Sequence, residues 1–248
     1  PLLHDLPRMR QLLPAQRVLP RHRHAAPYAA LVIAGGYEEA GDQGRRRLQP
    51  SDVVLHAAFS AHGNRVDRRG ARLINLPVAN GTERFARVHD PDVVVRLATR
   101  DPMTAAQALQ AQLQPLPPAL LDWPDLLAHE LTMEPHLSLS TWAYAHGLAA
   151  ETLSRGFVRV FGITPRRWRF ELRARHALGL LVEGRKSLAA VALDAGFADQ
   201  AHLTHAVVAV TGWPPGHWRR TSSRDKTNQR RALTIDEWTD APPCHQDW

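Results

Sequence analysis

The chain has 248 residues, of which 44% are apolar and 22% charged, and this composition fits a folded protein with two domains of ordinary size. Its single cysteine, Cys244, excludes an internal disulfide and a zinc site built on thiolates, and fits a reducing compartment, so we expect a cytoplasmic protein. The sequence has neither the run of about eighteen apolar residues that a membrane span needs nor an N-terminal signal pattern, so we expect no contact with membranes.

The formal net charge of +7 is concentrated in one part of the chain. Residues 1–136 carry 16 basic and 14 acidic side chains, whereas residues 137–224 carry 12 and 5. Such a local surplus of positive charge suits the binding of a polyanion such as nucleic acid. Charge alone fits an ordinary solvated basic face equally well.

Residues 28–97 have the pattern of short strands. The runs YAALVIAG, DVVLHAAF, RLINLPV and VVVRLA are apolar and rich in β-branched residues, and the stretches GGYEEAGDQG, HGN and NGTE between them contain turn residues. This alternation predicts an antiparallel barrel or sandwich, which we place in residues 1–100.

The pattern becomes helical after Arg100. TAAQALQAQL and PDLLAHELT fit helices, and the Pro-rich QPLPPALLDWP predicts a break between them. We expect a helical connector over residues 101–136 and a helical domain over 137–220. Residues 221–248, basic at first and then acidic and Pro-rich, predict a disordered, solvated tail whose basic part could add nonspecific attraction to a polyanion.

The helical segment contains an internal repeat. LSTWAYAHGLAAETLSRGFVRVFGITPRRW, from Leu139, aligns with LAAVALDAGFADQAHLTHAVVAVTGWPPGHW, from Leu188. Gly147 matches Gly196 at an offset of 49 residues. At an offset of 50, four further residues match: Leu153, Gly162, Pro165 and Trp168. Each copy predicts a short helix, a glycine in the left-handed conformation and a second helix, which together make a helix-turn-helix.

An apolar stripe predicts which face of each second helix is buried. The stripe consists of Leu153, Phe157, Val160 and Phe161 in the first copy and Leu203, Val207 and Val210 in the second. The opposite faces then present the candidates for base contacts in a DNA major groove: Ala150, Glu151, Ser154, Arg155, Gln200, Ala201, Thr204 and His205. Among these, Glu151, Ser154, Gln200 and Thr204 offer hydrogen-bonding groups to base edges.

The segment 165–183 between the two copies predicts one long helix. Its buried stripe is expected to consist of Phe170, Ala174, Ala177, Leu178 and Leu181. At about 1.5 Å per residue this helix would hold the two copies roughly 25 to 30 Å apart, close to the ~34 Å between successive major grooves. The candidates for phosphate contacts are Arg166, Arg169, Arg219 and Arg220.

The repeated segment resembles the DNA-binding domain of the AraC/XylS family of bacterial transcription regulators. The resemblance covers roughly residues 137–220 and rests on LSRGFVRVFGITPRRW, ELRARHALGLL, SLAAVALDAGFADQAHLTHAV and GWPPGHWRR. The run from Ala189 through Gly196 to Leu203 is the element most specific to the family, although His205 and Val207 stand where the family usually has arginine and phenylalanine.

The resemblance implies the fold class and the function. It implies an α+β protein of two domains, an N-terminal cupin-like β-barrel that senses a ligand and a C-terminal all-α domain with two helix-turn-helix units joined by a linker helix. The expected partners are promoter DNA, a small-molecule effector and RNA polymerase. The barrel and the connector helices could in addition pair two copies of the chain as a homodimer.

Four histidines of the predicted barrel form a candidate ligand or metal site. His22 and His24 lie on the same side of an extended segment, and His56 and His62 follow later in the chain. Imidazole is a common metal ligand, and cupin enzymes bind metals through an HxH pair, a later Glu and a distant His. The alternative is that these histidines line a ligand pocket or end a strand.

A metal-dependent cupin enzyme with a basic helical appendage is therefore the competing hypothesis. His22, His24 and His62 match three of the four ligand positions loosely, but the expected Glu is missing because Pro27 and Tyr28 occupy its place, and Glu38 and Glu39 come too late. The sequence also lacks a G-x-S-x-G, Walker or dinucleotide-binding motif. We expect a regulator that is not an enzyme and requires no cofactor, with a metal at the histidines as an open alternative.

Overall fold

The computed structural model of the chain describes residues 2–4, 7–79, 84–184 and 186–220. Contacts between residues divide the chain into a sheet-rich unit that extends to Leu126 and a helical unit that begins at Leu127. This confirms an α+β protein with an N-terminal sheet and a C-terminal helical region. The expectations for the NGTE turn, the tail 221–248 and Cys244 fall outside the described residues.

The sheet-rich unit contains nine strands among the described residues, and they join in one sheet. The strands are β1 (Leu2–His4), β2 (Arg10–Leu13), β3 (Val18–His24), β4 (Tyr28–Gly41), β5 (Gly44–Leu48), β6 (Asp52–His56), β7 (Ala61–Pro77), β8 (Arg84–Arg87) and β9 (Gln114–Pro115). The pairing is antiparallel except between β1 and β3. The long strands β4 and β7 pair with each other and run through the whole sheet.

The sheet bends where β4 and β7 bulge. The register between these strands shifts on both sides of Ala34, and such bulges bend and twist a strand. Gly35 and Gly70 face each other here, both with φ of +70°. A Cβ atom on Gly35 would lie 1.9 Å from the carbonyl oxygen of Gly70, so the backbones can meet only if this residue is glycine.

Residues that alternate along the strands fill two cores, as the two-residue period of a strand requires. The inner core lies inside the bend and joins residues from both halves of β4, Val32 and Tyr37, with Leu48 of β5 and Phe85 of β8. The sheet thus folds over onto itself as in a barrel. The outer core sets Leu31, Val53 and Ile74 against α1 (Pro91–Ala98) and α2 (Pro102–Ala111).

The structure corrects several predictions for the sheet-rich unit. VVVRLA was expected to be a strand but lies in α1, because Pro91 begins a helix and the side chain of Asp90 caps it by accepting a hydrogen bond from the Val93 N–H. GGYEEAG and HGN were expected to be turns but lie within β4 and β7, since only residues 42–43 separate β4 from β5. Strands β1 to β3 precede the region in which strands were predicted.

The helical unit begins within α3 (Trp123–Met133). It continues with α4 (Leu139–Ala145), α5 (Ala150–Phe161), α6 (Pro165–Glu183), α7 (Leu188–Asp194) and α8 (Gln200–Thr211), and residues 215–220 are again helical. Helix α6 packs against α7 and α8. Among the described residues, no helix is both long and apolar enough to cross a membrane.

Candidate nucleic-acid interface and histidine cluster

The pairs α4–α5 and α7–α8 are two helix-turn-helix units with matching first helices. Ser138 and Ser187, 49 residues apart, precede α4 and α7, and each side chain accepts a hydrogen bond from a backbone N–H of the first turn. A serine at this position satisfies a helix N–H that would otherwise have no partner. The predicted repeat is therefore a repeat of capping geometry as well as of sequence.

The turns of the two units also match. Gly147 and Gly196 follow the first helices with φ of +64° and +73°. After each glycine the next backbone N–H donates back to the first helix, at 2.9 Å from Leu148 to Ala143 and at 2.8 Å from Phe197 to Ala192. This bond closes the helix end and sets the direction in which the second helix starts.

The second helices, α5 and α8, each bury one face. Leu153, Phe157 and Phe161 are buried in α5, and the ring of Phe157 meets Trp168 of α6 edge-on at 5.4 Å. In α8 the buried residues are Leu203, Ala206, Val207, Val210 and Thr211. The predicted stripes are confirmed, apart from Val160, which is half-buried.

The eight candidates for base contacts lie on the accessible faces of α5 and α8. Ser154 and Thr204 are half-buried and the other six are exposed: Ala150, Glu151, Arg155, Gln200, Ala201 and His205. The Thr204 hydroxyl donates to the Gln200 carbonyl at 2.8 Å, which leaves the hydroxyl oxygen as an acceptor. Their contact with DNA stays a prediction.

The four arginines predicted to contact phosphates fall into two groups. Arg166 and Arg220 are exposed. Arg169 donates to the carbonyl of Leu137 and Arg219 to the carbonyl of Lys186, so each of these guanidinium groups already holds the helical unit together. Burial, followed by the neighbouring charges of Arg173 and Arg166, lowers the pKa of Arg169 from its ordinary value.

The buried face of α6 differs in part from the predicted stripe. Ala174, Ala177, Leu178 and Leu181 are buried as predicted, whereas Phe170 is half-buried. Trp168 and Glu171 take its place in the stripe, and the Glu171 carboxylate accepts a hydrogen bond of 2.9 Å from Arg167 Nε. The prediction favoured the apolar Phe170, but an acidic side chain paired with an arginine can occupy the buried face.

The structure brings the four histidines of the sheet-rich unit together. His22 and His24 lie at the end of β3, His56 ends β6 and His62 lies in β7. The ring centroids are 4.4 Å apart for His22 and His62, 4.3 Å for His56 and His62, and 5.1 Å for His22 and His24. None of the four is more than 9% exposed. We call these four residues and Glu39 the histidine cluster.

Glu39, which the sequence spacing had placed too far along the chain, lies beside the histidines. Its Oε2 is 3.7 Å from His56 Nε2, and the residue is only 2% exposed. At the other end of β4, the Tyr28 hydroxyl lies 3.4 Å from His62 Nε2. The bend in β4 therefore brings both ends of this strand to the same histidines, which a count of residues along the chain could not reveal.

The histidine cluster contains two overlapping groups of metal-ligand types. One group is His22, His24 and His62, the other is Glu39, His56 and His62, and the ligand atoms of each group lie within 4.8 Å of one another. Burial, followed by the charges of neighbouring histidines, lowers the pKa of both His56 and His62 well below the ordinary value. Both rings are therefore neutral near pH 7, which is the form that binds metals.

The sheet-rich unit also has an arginine-lined cleft. The cleft is lined by Arg46, Arg47, Arg65, Arg68, Arg69 and Arg87 together with residues of β4 and β5. Two of these arginines are paired with carboxylates, Arg47 with Asp67 at 2.9 Å and Arg87 with Asp52 at 2.8 Å. The unit therefore offers a concave surface whose chemistry differs from that of the buried histidine cluster.

Comparisons with known proteins agree on the helical unit. The family described as "Helix-turn-helix domain" matches residues 128–221. The virulence regulon transcriptional activator VirF of Yersinia enterocolitica is 35% identical over 83 residues, which are 34% of this chain and 31% of that protein. The transcriptional regulator ExsA of Pseudomonas aeruginosa is 30% identical over 95 residues, 37% of this chain and 34% of that protein. The match thus spans about a third of these relatives.

Among solved structures, ToxT from Vibrio cholerae O395, in complex with (E)-4-(8-methylnaphthalen-1-yl)but-3-enoic acid, is similar over 86% of this chain and 98% of that one. The sequence identity is 7% and the TM-score 0.40. The match over residues 128–221 coincides with the repeated helix-turn-helix geometry of the helical unit. Residues 128–221 are thus a helix-turn-helix domain of the AraC type, similar to parts of the transcription regulators VirF and ExsA.

Proposed function

We propose that the protein regulates transcription by binding one promoter sequence through α5 and α8, and that a small molecule bound by the sheet-rich unit changes this affinity. The observation that carries the proposal is the equivalent placement of polar, accessible side chains on the two second helices. Ser154 on α5 and Thr204 on α8 occupy equivalent positions, and Glu151 and Gln200 lie on the same accessible faces, opposite the buried stripes. A helix that enters a major groove presents such residues to base edges.

The charge of the helical unit supports a DNA ligand. Residues 137–224 have seven more basic than acidic side chains, and Arg155, Arg166 and Arg220 are exposed. Neutralised phosphates release counterions, so the binding of such a surface to DNA weakens steeply with salt. Phosphate contacts would orient the helices, and the base contacts would select the sequence.

The test of the proposal is selection of bound sequences from a random DNA pool by the full chain. We expect one enriched motif with two half-sites about ten base pairs apart, because successive major grooves on one face of DNA repeat at that interval. The affinity for the winning site is then measured over a range of salt concentrations. Failure to enrich any motif, with weak binding at low salt as well, would contradict the proposal.

Variants on α5 test which residues read the bases. Repeating the selection with Glu151→Ala and with Ser154→Ala should relax the preference within one half-site, at a cost of about 1 to 3 kcal/mol for a lost base contact. Glu183→Ala is the matched control, since Glu183 is exposed at the end of α6. If Glu151→Ala and Ser154→Ala both select the unchanged motif, α5 does not read bases with this face.

The sheet-rich unit offers the histidine cluster and the arginine-lined cleft, which suit different chemistries. A regulator of this kind would act in the cytoplasm, with RNA polymerase as a further partner at the promoter, and could bind DNA as a homodimer. Sedimentation of the full chain with and without the selected site measures the number of copies that bind.

A further inference from the structure

The histidine cluster has the composition of a transition-metal site. Four imidazoles and one carboxylate lie within one buried region, and adjacent rings are separated by 4.3 to 5.7 Å between centroids. Imidazole and carboxylate together suit divalent first-row ions such as Zn²⁺, Fe²⁺ and Mn²⁺. A cluster that only filled space in the core would be built at lower cost from apolar side chains.

The hydrogen bond of His22 fixes which of its ring nitrogens carries the lone pair. His22 Nδ1 lies 2.8 Å from the carbonyl oxygen of Pro20, and a carbonyl can only accept, so Nδ1 is the donor. In the neutral ring the lone pair is then on Nε2. Metal-binding histidines are held in this way, with one nitrogen donating to a carbonyl and the other directed to the ion.

Within the described part of the chain, one ring nitrogen of His56 and one of His62 lack a hydrogen-bond partner. They are Nδ1 of His56 and Nδ1 of His62, both in residues that are at most 3% exposed. Buried polar groups in folded proteins are nearly always paired, and an unpaired group calls for an unseen partner such as an ion. His62 also belongs to both groups of ligand types.

We propose that His22, His24 and His62 bind one divalent transition-metal ion and that this ion is the effector of the regulator. The second part of this inference rests on the proposed function. His22 is the most exposed of the three ligands, at 9%, and gives the ion its entry from solvent. Glu39 and His56 form a second group with His62, and the Glu39 carboxylate would offset part of the charge of the ion.

The spacing of the ligand atoms allows an ion to bind with at most a small adjustment of the side chains. At metal–nitrogen distances of about 2.1 Å, the nitrogens of neighbouring ligands lie roughly 3.0 to 3.5 Å apart. The ligand atoms of the triad lie within 4.8 Å of one another, so no two of them need to approach by more than roughly 1 to 2 Å. An ion that pulls in residues of β3 and β7 would couple its binding to the shape of the sheet.

Metal binding is tested on the full chain without DNA. The protein is stripped with a chelator, then titrated with Co²⁺, whose absorption bands report ligand number, and with Zn²⁺ in competition. We expect one ion per chain in the wild type and at least a hundredfold weaker binding in His24→Gln and His62→Gln. His89→Gln is the matched control, because His89 is exposed and lies outside the histidine cluster. Circular dichroism checks that each variant is folded.

The variants also separate the two ligand groups. Glu39→Gln is expected to lower the affinity for the ion by roughly 10- to 100-fold without abolishing binding, as the loss of an outer carboxylate does. Binding that survives in His22→Gln and His24→Gln but is lost in Glu39→Gln would overturn the proposed ligand set. Less than a tenth of an equivalent of ion in the wild type would overturn the site itself.

The effector role is measured with the selected DNA site. We expect the ion to change the DNA affinity of the wild type at least fivefold and to leave that of His24→Gln unchanged. An ion that binds at one per chain without changing DNA affinity would overturn the effector role and leave the metal site supported. If no DNA site is ever selected, the proposed function fails, whereas the Co²⁺ titration still decides the metal site.

Discussion

At the scale of single residues, the structure separates arginines that the sequence cannot distinguish. Arg166 and Arg169 lie one turn apart on α6, and both were predicted to contact phosphates. Arg166 is exposed, whereas Arg169 is half-buried and donates to the Leu137 carbonyl. The sequence shows only the positions of the arginines in the chain. Their roles differ because the fold brings a backbone carbonyl within hydrogen-bonding distance of one of them.

These two arginines give a matched pair for mutation. Arg166→Gln should weaken binding to all DNA sequences alike and reduce the slope of log affinity against log salt by about 1, with the stability unchanged. Arg169→Gln removes a charged donor from a half-buried carbonyl and should lower the free energy of unfolding by roughly 1 to 3 kcal/mol. Urea unfolding and fluorescence titration with DNA measure the two effects.

The outcome for Arg169→Gln decides between two roles. A fall in stability with little change in the salt slope would mark Arg169 as a residue that holds the chain near Leu137 against α6. An unchanged stability with a reduced slope would show that the hydrogen bond contributes little and that Arg169 binds phosphate. Arg69→Gln, an exposed arginine of the sheet-rich unit, is the control for the loss of one positive charge.

Glu39 shows at the same scale why the candidate site was only partly predictable. The HxH spacing indicated His22 and His24, and the later histidines were found because the residue type itself is informative. Glu39 lies too far along the chain for the ligand spacing expected after an HxH pair, because that spacing assumes a short strand. Strand β4 is 14 residues long and bends back to the histidine cluster. Glu39 is therefore far from the HxH pair in sequence but close to the histidines in space.

At the scale of elements, the bend in β4 and β7 is what places the histidine cluster. Without it, Tyr28 and Glu39 would lie about 36 Å apart on a straight strand. The bend is possible because Gly35 and Gly70 let two backbones meet with positive φ. The stretch GGYEEAG was read as a turn because glycine pairs usually are turns, whereas here the glycine allows a bulge within a strand.

Glycine substitutions test the bend directly. Gly35→Ala would place a Cβ 1.9 Å from the Gly70 carbonyl oxygen, and we expect it to lower the free energy of unfolding by more than about 3 kcal/mol or to prevent folding. Gly44→Ala is the control because it has φ of +93° but open space around it, so it should cost only about 1 to 2 kcal/mol. Equal losses in both variants would show that strain in φ, and not the close approach, sets the cost.

A capping residue tests the stability of α8. The Asp199 side chain accepts a 2.7 Å hydrogen bond from the His202 N–H at the start of this helix. Asp199→Ala should cost about 0.5 to 2 kcal/mol and weaken DNA binding, because α8 then begins less regularly. Asp194→Ala removes the same charge from an exposed ion pair with Lys186 and should cost less than Asp199→Ala, because solvent screens the pair. Thermal unfolding followed at the helical circular dichroism band measures both.

At the scale of the whole molecule, the helical unit was far more predictable than the sheet. The bounds of α6, Pro165–Glu183, match the prediction, because Thr164 caps the start, proline occupies the first turn and Gly184 ends the helix with positive φ. These signals are local. The sheet depends on pairings between distant residues, such as Gly41 with His62, and no local pattern carries them.

The length of α6 leads to a prediction about DNA as well as about the protein. Its 19 residues span about 28 Å, and the helix contacts α5 through Trp168 and Phe157 and packs against α7 and α8, so both helix-turn-helix units are held on one helix. We expect that inserting five base pairs between the selected half-sites, which turns one of them to the opposite side of the DNA, lowers the affinity by at least about tenfold. The measurement is a titration of the full chain with the original and the lengthened site.

The same titration distinguishes one rigid helical unit that binds both half-sites from two copies of the chain that each bind one half-site. Ten inserted base pairs restore the rotational phase but move the half-sites apart by about one helical turn, or ~34 Å, which α6 cannot span. A rigid helical unit therefore loses affinity with both insertions, and its affinity falls to that for a site with only one intact half-site. If the affinity recovers with ten inserted base pairs, two copies of the chain each bind one half-site. Only separate copies can remain bound to half-sites that move apart.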